Sequence, residues 1–124
     1  MELTEVEKKE RIVAVLIKRA SKSQTIGYQE LSDEASLKLN MGNPDHRVQI
    51  GILLDDVSKC EFQAQRPLLS AIVVRTDKFP GDGFYKLCEK LELGDWRKLK
   101  KDDLFFCDRI KECFTYYSKS KKKE

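Results

Sequence analysis

Few residues in this chain are of types that carry chemistry, and they are scattered. They are one histidine (His46), four cysteines (Cys60, Cys88, Cys107 and Cys113), the adjacent acids Asp55 and Asp56, and Ser70. A nucleophile needs a base within hydrogen-bond reach and a third group to orient that base. Ser70, His46 and Asp45 are present, but no spacing links them, so His46 reads as a surface or capping residue. Neighbouring positions on a helix point about 100° apart, so Asp55 and Asp56 do not converge on one metal ion. The cysteines form no Cys-x-x-Cys pair and have one histidine to work with, which argues against structural zinc. They read as reduced, mostly buried thiols. Gly81-Asp82-Gly83 precedes a helix, yet it lacks the longer glycine pattern or the Gly-Lys-Ser/Thr of a phosphate loop. No catalytic residue, cofactor or metal is expected.

A second set of residues suits binding. Lys38, Asn40, Asn43, His46, Arg47 and Gln49 lie around one helix, and Arg75 and Lys78 lie in a later loop. Lysine and arginine pair with phosphates, while arginine and glutamine match the edges of guanine and adenine. The charge balance cuts across this. Residues 1–21 carry five basic and four acidic groups, residues 22–60 four and six, and residues 61–124 fifteen and eleven. The segment holding the candidate recognition helix is thus net negative. Phosphate neutralisation supplies most non-specific affinity, so a protein partner is the competing expectation.

The elements that must position these residues are legible in part. Thr4-Glu5-Val6-Glu7 has the spacing of a capping box, and Ile12, Val13, Leu16, Ile17 and Ala20 share one face, which predicts a helix over 4–21. Thr25-Ile26 is extended and suits a very short strand before a helix over 28–37. Asn43-Pro44 is a strong helix start, and that helix is expected to reach Cys60. Its core side is Ile50, Leu53, Leu54, Val57 and Cys60. Val48 and Ile52 fall among its polar residues, either exposed or touching a further element. Gly51 inside it suggests close approach of a neighbouring backbone. Leu68–Arg75 is apolar and β-branched and reads as a buried strand.

Pro80-Gly81 and Asp82-Gly83 then turn the chain, with Phe79 and Phe84 pinning the loop. A short helix over 84–91 is expected to end at Gly94, and Asp95–Lys101 reads as a charged link. Asp102 caps a last helix over 103–117, whose Phe106, Cys107, Ile110, Cys113, Phe114 and Tyr117 share a face. That aromatic face is core or, alternatively, a homodimer surface. Residues 1–117 read as a single domain and 118–124 as a flexible basic tail. No span is long and apolar enough for a bilayer and no signal peptide is visible, so a cytoplasmic location without membrane contact is expected.

Three stretches carry a resemblance. Thr25-Ile26-Gly27-Tyr28-Gln29-Glu30-Leu31 resembles the Thr-x-x-Tyr-Gly-Glu-Leu opening of the DNA-binding domain in alkylguanine-DNA alkyltransferases. Arg47-Val48-Gln49-Ile50-Gly51 is similar to that family's Arg-x-Val-Gly recognition helix, with one extra residue. Pro67-Leu68-Leu69-Ser70-Ala71-Ile72-Val73-Val74 stands where the family has Pro-Cys-His-Arg-Val-Val. A group of small bacterial proteins with Thr-Tyr-x-Glu-Leu, Pro-Leu-Leu-x-x-x-Val-Val and Pro-Gly-x-Gly-Phe is more similar still.

The resemblance spans residues 10–92. It implies a mainly α fold with a small β element: a winged helix-turn-helix with an added C-terminal helix and residues 68–83 as the wing region. It also implies that the alkyl-accepting Cys is missing, because Leu68 and Leu69 take its place. The expected function is non-enzymatic binding of duplex DNA through Lys38, Asn43, His46, Arg47, Gln49, Arg75 and Lys78. The alternative is a protein-interaction module of the same fold, an inhibitor, immunity or adaptor protein, using Val48, Ile52 and the aromatic last helix.

Overall fold

The computed structural model describes residues 3–122. The chain is mainly helical with a small β element. In order, α1 is Glu5–Ser21, β1 Ile26–Gly27, α2 Tyr28–Glu34 and α3 Pro44–Gln63. A 3₁₀ turn at Leu69–Ile72 leads into β2, Val73–Val74, followed by α4 (Asp82–Lys90), α5 (Trp96–Lys101) and α6 (Asp103–Lys122).

Local chemistry sets several of these ends. At α1 the Glu7 N–H donates to Thr4 Oγ1 and the Thr4 N–H donates to Glu7 Oε1, each at 3.1 Å. This is a closed capping box, and it holds the Glu7 carboxyl below its usual range. Asn43 accepts from the Asp45 N–H at 2.9 Å, and Pro44 is the first residue of α3. Helix α2 stops at Glu34, earlier than the apolar pattern suggests, because Ser36 turns left-handed at φ 54°. Leu37 and Leu39 still reach the core, from the loop.

The predicted strand over 68–75 is replaced by the 3₁₀ turn and two residues of β2. A short apolar run looks the same whether it is a buried strand or a buried turn, and tertiary partners decide. Here those partners surround it. Leu69, Ala71, Ile72 and Val73 are fully buried where α1, α3 and α6 meet. The run coils because its polar groups are met at once: Ala71 N–H donates to Leu68 C=O at 3.0 Å, and Ser70 N–H donates to Ser58 Oγ at 3.1 Å.

Only at Val73 does the chain extend, pairing parallel with β1 in the register Ile26 to Val73 and Gly27 to Val74. A parallel pair needs a long crossover, which α2 and α3 provide. Helix α6 lies along α1 and the 3₁₀ turn, burying Phe106, Cys113 and Tyr117.

Five smaller expectations are corrected. Cys107 points outward, and so does Cys60, so two of the four thiols are exposed. Gly51 has open space where a Cβ would stand, so no neighbour demands glycine there. Helix α4 begins at Asp82 and closes at Lys90 with Glu92 left-handed, so Gly94 does not end it. Gly94 is instead required by its own φ of 142° and by Leu99, whose side chain would stand 3.1 Å from an added Cβ. The charged link over 95–101 is helical, because Asp95 caps it and Leu99 packs against the core. Helix α6 runs past the expected end at 117 to Lys122, so most of the expected tail is helical backbone. Residues 123–124 lie outside the described residues.

Candidate nucleic-acid interface

Where β1, β2 and the start of α3 meet, the surface opens into a cleft of about 710 Å³. Its wall is Thr25–Glu30, Met41, Ile50 and Val74, and its rim carries Arg47, Arg75 and Lys78 beside Gly81. Tyr28 leans across it, its hydroxyl 3.5 Å from where a Cβ on Gly81 would stand. Burial raises the Tyr28 pKa, while the Gly81 N–H and the charge of Arg75 pull it back.

The loop after β2 holds the rim. Arg75 N–H donates to Phe79 C=O at 2.8 Å and Lys78 N–H to Arg75 C=O at 2.9 Å, closing a tight turn in which Lys78 is left-handed at φ 70°. Asp77 accepts from the Phe79 N–H and from Arg75 Nη2. The Phe79 ring sits 5.7 Å from Phe106, which ties the loop to α6.

Of the seven residues expected to bind DNA, the fold brings three to this rim: Arg47, Arg75 and Lys78. The others are placed elsewhere. Asn43 is occupied as the cap of α3. His46 Nδ1 accepts from the Asn40 N–H at 2.9 Å, so the imidazole clips the loop between α2 and α3. Gln29 grips the same loop from the other side, donating to Leu39 C=O at 3.0 Å and accepting from the Met41 N–H at 2.9 Å. Lys38 is exposed within that loop at φ 60°.

Gln49 is exposed on α3 but does not line the cleft. At 3.6 residues per turn, Arg47 and Gln49 stand about 160° apart, so one groove cannot engage both head-on. Gln49 shares its flank with Asp56, which pairs with Lys9 of α1 at 3.2 Å. The face of α3 between those flanks is apolar: Val48 and Ile52 are 61% and 55% exposed.

Sequence reasoning did not place Tyr28, Met41 and Ile50 at a site. The available signal was the Thr25–Leu31 motif, which supplies much of the cleft wall.

Leu68, Leu69 and Ser70 are all buried. Ser70 Oγ accepts from Ser58 Oγ at 2.7 Å, inside the core and with no base beside it. Cys113 donates to Leu68 C=O at 3.2 Å. Burial pushes the Cys88 and Cys113 thiols up to about 12, so neither carries thiolate at neutral pH. Among the described residues no group of three or more His, Cys, Asp or Glu is placed to hold a metal ion, and no helix is long and apolar enough to cross a membrane. Compared with known proteins, the chain matches no family model, no curated protein and no solved structure.

Proposed function

We propose that this is a non-enzymatic winged-helix protein that binds duplex DNA, with the first turns of α3 in the major groove and the Arg75–Lys78 loop on the backbone. One observation carries this reading. Arg47, from a helix, and Arg75 and Lys78, from a loop nearly thirty residues later, share the rim of one cleft. Cations at such separated positions, held by a clipped loop and a closed turn, make a preorganised phosphate contact. The flank of α3 that bears Arg47 faces the DNA, rather than the acid-bordered apolar face.

The test is anisotropy of a labelled duplex over a salt series. Wild-type protein binds at low salt, and affinity falls as salt rises. Arg47→Gln with Lys78→Gln lowers the slope of log K against log salt by about 1.8. No binding at low salt ends the proposal.

Exposed Val48 and Ile52 favour a second reading, a protein partner on the outer face of α3. Under that reading Ile52→Asp abolishes capture of the partner and leaves the fold intact, while the DNA titration stays flat.

A further inference from the structure

Helix α5 has a composition unlike the rest of the molecule: Trp96-Arg97-Lys98-Leu99-Lys100-Lys101. At 100° per residue, Arg97, Lys98, Lys100 and Lys101 occupy an arc of about 160°. Leu99 lies opposite and packs on the core, so all four cations share the outward side.

Four nearby carboxylates, Asp82, Glu89, Asp95 and Asp102, are held at helix ends or by a partner. Asp95 accepts from the Arg97 and Lys98 N–H groups, Glu89 from the Trp96 N–H, and Asp102 from the Leu104 and Phe105 N–H groups. Asp82 pairs with Lys100 at 2.6 Å. Arg97, Lys98 and Lys101 form no ion pair with any of the described residues. The Trp96 ring is near one further cation, Lys86, whose Nζ is 5.0 Å from its centroid, and near Arg97, whose Cζ is 4.7 Å from it.

This face joins the cleft. Gly81 is on the cleft rim, and Asp82, the next residue, holds Lys100 of α5. The Lys100 hydrogen bond keeps the Asp82 carboxyl below its usual range, and the charges of Lys86 and Arg75 lower it further, so the loop cation and the α4 and α5 cations act on one carboxylate. An outward basic face that adjoins the cleft and has three cations free of ion pairs among the described residues is complementary to a run of phosphates.

We infer that the outward face of α5, with Lys86 and Trp96, is a second backbone-binding surface that takes the DNA phosphates flanking those at the cleft. This rests on the DNA-binding reading above.

The experiment uses the full chain and a labelled duplex, with two readouts. Trp96 is the chain's one tryptophan, so its emission reports on this face, while anisotropy reports on binding as a whole. Expected are a shift in Trp96 emission on saturation with duplex and, for Lys98→Gln with Lys101→Gln, a salt slope lowered by about 1.8. Circular dichroism verifies that this variant keeps its helix content; the cations over Trp96 are Lys86 and Arg97 and the partner of Asp82 is Lys100, so none of these is replaced. If wild-type protein binds DNA but both the slope and the emission stay unchanged, the α5 surface is wrong and the cleft reading stands. If wild-type protein does not bind at all, both fall. If poly-glutamate of equal charge shifts Trp96 emission as strongly and binds as tightly as duplex, the surface takes acidic polypeptide and the inference is overturned.

Discussion

Between Glu61 and Ile72 the chain buries two polar side chains, Glu61 and Ser70, and from Arg75 to Lys78 its polar side chains are exposed. At the inner end Glu61, 5% exposed, accepts from Arg66 Nε at 2.7 Å, from Arg66 Nη2 at 3.1 Å and from the Tyr117 hydroxyl at 2.7 Å. One carboxylate thereby joins α3, the connector and α6. At the outer end the Arg75–Asp77 pair is half exposed on both sides, and Lys78 pairs with none of the described residues. Buried polar groups are costly to leave unmet, whereas exposed pairs contribute about 0–1 kcal/mol. The two ends therefore differ: the inner one fixes where the helices sit, and the outer one contributes little to stability and, under the proposed function, leaves charge for DNA phosphates.

Substitutions at the two ends separate these uses. Ile72→Ala, at a fully buried site, costs about 3 kcal/mol in urea unfolding, with DNA affinity per folded molecule unchanged. A loss below 1 kcal/mol would mean that the 3₁₀ turn is not the packed centre. Arg66→Ala leaves the buried Glu61 carboxylate with Tyr117 as its remaining side-chain partner. Because Arg66 is itself 40% exposed, the expected loss is about 2 kcal/mol rather than the 3–5 of a fully buried pair, again without effect on DNA.

The inner thiols add a pH dependence. Cys88 and Cys113 are raised by burial from 9.0 to about 12. Above pH 9 the unfolded chain loses these protons first, so stability is full below pH 9 and falls as pH rises toward 12. Each thiol contributes about 1.4 kcal/mol per pH unit in that window. Cys113→Ala removes one such slope in urea titrations between pH 8 and 10.5, and an unchanged slope would show that this thiol is accessible.

The smallest expected change in stability is at the outer end. Asp77→Asn keeps an acceptor for the Phe79 N–H and releases Arg75. Stability moves by less than about 0.5 kcal/mol, while duplex affinity at low salt rises about threefold. Weaker binding would mean that Asp77 orients Arg75 instead of competing for it.

Much of the helical frame was readable from local chemistry. Thr4 with Glu7, and Asn43 with Pro44, mark helix starts through hydrogen bonds that span three residues or fewer. The apolar spacing of Ile12–Ala20 and Ile50–Val57 picks the buried faces. Helix α5 was missed because its signals, Asp95 and Leu99, are two residues in a charged run, and their meaning depends on what Leu99 packs against. Helix α3 runs three residues past the expected end at Cys60, and in that last turn Glu61 meets Arg66 and Tyr117, partners not visible from local spacing. The site was legible as residue types but not as a place. Asn43 and His46 look like DNA-facing groups until their backbone partners are seen.

The sequence by itself marked helices α1 and α3, their caps and their buried faces, since these rest on residues close in the chain. Tertiary structure alone decided three things: the coiling of Leu69–Ile72, the parallel register of Ile26 on Val73, and the meeting of Arg47 with Arg75 and Lys78 at one cleft. Each depends on contacts between segments tens of residues apart. An apolar run satisfies strand and turn equally until the helices around it leave room for one, and cations make a site only when packing turns them toward the same solvent.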